Sequence, residues 1–223
     1  MVSLVRDLDA EIEERSLLKH TFYKMWSDGK LTRQHLAGYA QEYFQLVRSV
    51  PELVGTIGGL VKDDSTKKVV DGIQREETQH VELWAKFAQS LGVRKSDLLS
   101  HRGTPKTRRA VARLEKTTGQ SFVEGASAMY AIEKEQPKIS RIKLDGLKAF
   151  YGMTGTEQGT EYFREHEVTD VRHAAVWRSL IQRERENGSG GGSARAAETS
   201  LKVQNAILDA VMETYVSPTI SAR

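Results

Sequence analysis

The chain contains no cysteine. That absence excludes a disulfide framework, a thiolate zinc site, a cysteine-ligated Fe–S cluster and a cysteine nucleophile. Long apolar runs are missing too, and none approaches the roughly 20 residues needed to cross a bilayer. The N-terminal residues Met1-Val-Ser-Leu-Val-Arg-Asp turn charged too soon for a signal peptide, so a soluble cytoplasmic protein is expected. Neither charge sign dominates: 33 Lys and Arg stand against 30 Asp and Glu, a net +3. A balance that even argues for neither a nucleic-acid nor a membrane partner. The basic clusters Lys106-Thr-Arg108-Arg109 and Arg113 read as a solvated face. Proline is scarce, with only Pro51, Pro105, Pro137 and Pro218, and alternating strand patterns are absent.

What remains is helical. A chain of 223 residues with 39% hydrophobic and 28% charged residues can bury a substantial core, and residues 1–223 are expected to form a single helical domain. Apolar residues at helical spacing predict helices over about 4–18, from Thr32 to Pro51, 52–61, from Asp64-Ser65 to Gly92, 107–117, 122–135, 139–151, 156–186 and 201–215. Pro137 is expected to end or kink one of them. The run Gly188-Ser-Gly-Gly-Gly-Ser193 predicts a flexible connection before the last helix. The fold class is therefore all-α.

The chemistry is concentrated in His166-Glu-Val-Thr-Asp170-Val-Arg-His173. Steps of four and three residues stack these donors on one helix face. Glu76-Glu77-Thr-Gln-His80 adds a Glu-x-x-His step of the kind that helical bundles use for di-iron and di-manganese centres, with Glu76 and Glu77 both able to share a face with His80. Glu133 lies on a helix of small residues, with Glu135 as a rival. Glu77, His80, Glu133, His166, Asp170 and His173 supply three carboxylates and three imidazoles. That set suits two transition-metal ions, Fe/Fe or Fe/Mn, rather than Cu(I) or thiolate zinc. The bland alternative for the triplet is a solvated polar stripe, but Tyr162, Phe163 and Trp177 place apolar packing beside it.

Several further segments occur in a recognisable order: Leu17-Leu-Lys-His20-Thr-Phe-Tyr23-Lys-Met-Trp26, Gly29-Lys-Leu-Thr32, Tyr39-Ala-Gln-Glu-Tyr43, His80-Val-Glu-Leu-Trp84, Ala128-Met-Tyr-Ala-Ile-Glu133 and Lys143-Leu-Asp-Gly-Leu-Lys-Ala-Phe-Tyr151. With the triplet, this order resembles the haem-oxygenase-like di-metal oxidases, specifically the branch of the chlamydial "protein associating with death domains" (CADD). Pyrroloquinoline-quinone synthase and TenA-like proteins are related to it in fold. The resemblance covers most of residues 8–185 and implies a bundle of seven to eight helices around the metals. It further implies a self-sacrificing p-aminobenzoate synthase, consuming dioxygen and electrons from an external reductant. On that resemblance Tyr23 supplies the aromatic ring and Lys143 the amino group. Tyr39 matches another aromatic near the metals, and Tyr162 sits one turn before His166. The family's usual spacing of two helical turns between its first glutamate and first histidine is shortened here to one.

Packing alone would explain Tyr23, between Phe22 and Trp26, as a core aromatic, and Lys143 as part of a solvated basic face. Two other functions compete with p-aminobenzoate synthesis: a di-metal oxygenase acting on a small external substrate, and a non-catalytic binding or regulatory protein. An exposed helix face offers a route to a homodimer.

Overall fold

Helix starts are encoded locally. Thr32 caps α3 (Arg33–Val47) by accepting from His35 N, and Asp63 caps α5 (Asp64–Ser90) by accepting from Thr66 N. Pro51, Pro105 and Pro137 each stand in the first turn of a helix, where a missing N–H costs nothing. The computed structural model describes residues 4–155, 158–188 and 191–217. Among these residues the regular structure is entirely helical. Besides α3 and α5, the helices are α1 (Leu4–Glu14), α2 (Thr21–Ser27), α4 (Val50–Gly59), α6 (Lys95–Ser100), α7 (Pro105–Thr118), α8 (Phe122–Glu133), α9 (Gln136–Phe150), α10 (Glu161–Glu186) and α11 (Ser193–Val211). Nine of the eleven α-helices among the described residues have ten residues or more, and a π-helical turn, Met212–Val216, extends α11.

α8 is the axis of the bundle. Val123 and every residue from Gly125 to Glu133 is buried, and the helix touches α1, α4, α7, α9, α10 and α11. Its small residues permit that crowding. A Cβ on Gly125 would lie 2.5 Å from the Ile57 side chain and 2.8 Å from the Thr118 carbonyl. The close approach of α4 and α7 therefore requires glycine there.

Several boundaries differ from the sequence expectations. The stretch after α1 makes a 3₁₀ turn (Leu17–Lys19) and then the seven-residue α2, which buries Phe22, Tyr23 and Trp26. Pro137 opens α9 instead of ending α8. α11 begins eight residues earlier than expected, behind Gly192 at φ 84°, and Ser193 is buried in its first turn. Of the expected flexible connection, Ser189 and Gly190 lie outside the described residues, as do Thr156 and Glu157 at the expected start of α10. No helix among the described residues is long and apolar enough to cross a membrane.

Candidate metal centre and tyrosine–lysine cage

α5, α8 and α10 bring the six predicted donors together. Glu77, His80 and His166 form one triad and Glu77, Asp170 and His173 another, with the ligand atoms of each triad within 4.8 Å of one another. Glu77 belongs to both, so a single carboxylate stands between two three-donor sets. Glu133 joins the second, its Oε2 lying 3.9 Å from His173 Nδ1. All six side chains are buried.

The structure also separates the rivals. Glu77 is 6% exposed and faces inward, whereas Glu76 pairs with Arg172 at the rim. Glu135 accepts from Leu17 N at 3.2 Å, leaving Glu133 as the carboxylate that faces the cluster.

Their electrostatics suit a cation. Both oxygens of Glu133, both of Asp170, and Nδ1 of His80 and His173 are buried without a hydrogen bond. His80 Nδ1 and His173 Nδ1 lie 3.3 Å from Glu77 oxygens, close but poorly aligned. Burial pushes the Glu133 carboxyl well up, and the Asp170 and Glu77 charges push it further. Asp170 rises for the same reasons: burial first, then Glu77 and Glu165. Burial would also raise Glu77, but His173 and His80 outweigh it and hold that carboxyl down. Burial, with His80 adding to it, lowers His166 to about 3. Buried carboxyl groups and imidazoles that face one another unpaired are a poor packing solution and a good ligand set for divalent ions. The residues present therefore fit two such ions.

The imidazoles are oriented from behind. His166 Nδ1 donates to the Tyr162 carbonyl at 2.7 Å, and the Tyr162 ring stacks on the imidazole at 3.9 Å and 25°. His80 lies 4.3 Å from His166, ring centre to ring centre. Of the four residues predicted to carry the chemistry, Tyr162 therefore lies directly against a predicted ligand.

The other three meet in a second cluster. Lys143, on α9, is fully buried, and among the described residues the one hydrogen bond of its amine is to the Tyr39 hydroxyl at 2.5 Å. Its Nζ lies 5.4 Å from the centre of the Tyr23 ring, 5.0 Å from Tyr39, 5.4 Å from Tyr43, 5.8 Å from Trp84 and 5.1 Å from Phe163. Burial lowers its pKa from 10.5 to about 7. The solvated basic face that packing arguments suggested for Lys143 is thus replaced by a dry aromatic box. Glycine makes the box possible. A Cβ on Gly146 would sit 2.6 Å from the Trp26 ring, so α9 presses onto α2, and Trp26 Nε1 donates to the Lys143 carbonyl. The Tyr23 hydroxyl is buried without a well-formed hydrogen bond. Burial raises the Tyr23, Tyr39 and Tyr162 phenols well above the usual range, so all three stay protonated. Trp84, edge-on to both Tyr39 at 5.6 Å and Tyr162 at 4.7 Å, joins the cage to the predicted ligands.

Tyr43, which is not among the predicted site residues, completes the cage. Its position four residues after Tyr39 on α3, and so on the same face, was the available signal. Four surface clefts of about 480–560 Å³ are lined by other residues.

Residues 37–204 match a family described as iron-containing redox enzyme. The chain is 33% identical over 186 residues to the 4-aminobenzoate synthase of Chlamydia trachomatis, covering 81% of this chain and 80% of that protein. In fold it is similar to a haem-oxygenase-like domain of unknown function from Shewanella denitrificans, with a TM-score of 0.79 at 21% identity over 95% of this chain and 91% of that one. A CADD-like protein of unknown function from Nostoc punctiforme aligns with a TM-score of 0.71 at 12% identity, over 95% of this chain and 100% of that one.

Proposed function

This chain belongs to the iron-containing redox enzyme family, and from that premise we propose that it makes 4-aminobenzoate from its own Tyr23 ring, with Lys143 as amino donor. The observation that carries the reading is the Lys143 amine, buried 5.4 Å from the Tyr23 ring with no carboxylate partner among the described residues. The similarity to the chlamydial 4-aminobenzoate synthase supports the product.

The bond changes follow from comparing the two molecules. Tyrosine and 4-aminobenzoate share a para-substituted ring. Conversion cuts the Cα–Cβ bond, oxidises Cβ to a carboxyl carbon, forms a ring C–N bond as the phenol C–O bond breaks, and cleaves Nζ from Cε of Lys143. Two ions, Fe/Fe or Fe/Mn, held by Glu77, His80, Glu133, His166, Asp170 and His173 would supply the oxidising power from dioxygen and an external reductant.

The chain's own residues do the rest. Lys143 with a pKa of about 7 is half neutral at pH 7, whereas an ordinary lysine is neutral in only about one molecule in 3,000. Only the neutral amine has a lone pair to give. Tyr39 holds Nζ by a hydrogen bond and so fixes the nitrogen against the Tyr23 ring. Trp84, Phe163 and Tyr43 wall the site against water and stray reductants. Tyr162 orients His166 through its carbonyl and its ring. Because a side chain is consumed, each chain turns over once.

The test uses protein made with ring-labelled tyrosine, loaded with iron and manganese, and given dioxygen and a reductant. Labelled 4-aminobenzoate is expected, at no more than one per chain. Tyr23→Phe should yield none while keeping its metal. Product from that variant would refute the role of Tyr23. Product formed only when an external substrate is added would favour an ordinary oxygenase.

A further inference from the structure

Glu76 lies beside the buried Glu77 on α5 but turns to the outer edge of the ligand set. Arg172 grips it at two points, Nη2 to Oε2 at 2.6 Å and Nη1 to Oε1 at 3.2 Å. The same Oε2 lies 2.8 Å from His173 Nε2. We propose that Glu76 is a positioning residue for the metal centre, holding the Nε2 proton of His173 and so dedicating Nδ1 to an ion shared with Glu77 and Asp170. The proposal rests on the six donors binding metal and is independent of the product formed.

A neutral imidazole carries one proton and one lone pair, and the partner of the first nitrogen decides where the second points. The His173 ring is fully buried. Its Nδ1 faces Glu77 Oε1 at 3.3 Å and Glu133 and Asp170 oxygens at 3.9 Å, with no well-formed hydrogen bond. Its Nε2 has a carboxylate in line at 2.8 Å, a charge-assisted bond that fixes the proton there. His166 is set in the opposite sense, since its Nδ1 is taken by the Tyr162 carbonyl. The two α10 imidazoles thus present different nitrogens to the cluster, each chosen by a different outer partner. A carboxylate behind an imidazole also makes it a stronger donor.

A rival role for Glu76 is mechanical, because the Glu76–Arg172 pair ties α5 to α10. Two variants separate the roles. Glu76→Gln removes the carboxylate from His173, whereas Arg172→Met breaks the tie but leaves the carboxylate. The probes are iron(II) and manganese(II) alone, with affinity read by chelator competition and stoichiometry by elemental analysis. Glu76→Gln should weaken one of the two sites by about 10- to 100-fold. Arg172→Met should change it less than threefold. Nitrogen NMR on the metal-free wild type should report His173 protonated at Nε2, and this measurement decides the matter even if Glu76→Gln does not fold. Equal losses in the two variants, an unchanged affinity in Glu76→Gln, or an Nδ1 proton on wild-type His173 would each overturn the proposal. A wild-type protein that binds neither ion would remove the metal-centre reading and this proposal together. Wild-type binding without 4-aminobenzoate would remove only the product assignment.

Discussion

Replacing Lys143 by methionine is expected to stabilise the protein while abolishing its product. The dry aromatic box lowers the Lys143 pKa from 10.5 to about 7. At 1.36 kcal/mol per pH unit, holding the charged amine costs about 5 kcal/mol. The folded-state pKa lies below the unfolded one. The cost is therefore complete below pH 7 and is relieved as pH rises from 7 towards 10.5. Methionine has similar length, bears no charge and packs well among rings. It forfeits the hydrogen bond to Tyr39, worth about 1 kcal/mol. The net gain expected at pH 6.5 is about 3–4 kcal/mol, or roughly 6–16 °C in Tm for a chain of this size. Urea unfolding of metal-free wild type and Lys143→Met at pH 6.5, 8 and 9.5 measures it. The advantage should shrink at each step and vanish near pH 10. A variant no more stable at pH 6.5, or one whose advantage grows with pH, would show that the amine is not held in a dry site. A lysine kept at such cost is what a functional amine predicts.

Glu133→Gln should bind one ion fewer, yet unfold later than wild type when both are metal-free at neutral pH. Burial and the Asp170 and Glu77 charges make the Glu133 carboxylate unfavourable without a cation, and calorimetry with elemental analysis reads both effects. Glu42→Gln should cost stability at neutral pH. Glu42 is buried and accepts from His101 Nε2 at 2.9 Å and Thr104 N at 2.7 Å. Burial alone would raise its carboxyl, but these hydrogen bonds lower it to about 2. A depressed carboxyl stabilises the fold above the unfolded pKa of 4.5 and loses that effect as pH falls towards 2, so urea unfolding should show a loss of about 3 kcal/mol at pH 7 and much less at pH 3. Equal losses at both pH values would contradict this account.

Much of the candidate centre was legible because helical periodicity is local. His166, Asp170 and His173 share a face whatever surrounds α10, and Thr32 caps α3 at the expected start, whereas α5 is capped by Asp63, one residue before the expected Asp64-Ser65. Less was legible where a contact between distant segments decides. α2 has only seven residues, too few to show a periodic face, and it is held by burial of Trp26 against Gly146. The early start of α11 depends on one left-handed glycine inside a run that composition alone reads as slack. Glu76 and Glu77 are indistinguishable by spacing from His80. Only the position of α10 shows that Glu77 faces the ligands while Glu76 faces Arg172 and the far side of His173.

The sequence by itself determined the helical class, the exclusion of thiol chemistry and the helical segments that carry the candidate ion donors, because residue type and 3.6-residue periodicity need no partner to be read. Tertiary structure alone decided which neighbouring carboxylate turns inward, that Tyr43 completes a cage around Lys143, and that this amine is buried enough to be half neutral at pH 7. Those outcomes depend on desolvation and on distances between helices far apart in the chain, and neither quantity exists until the helices pack.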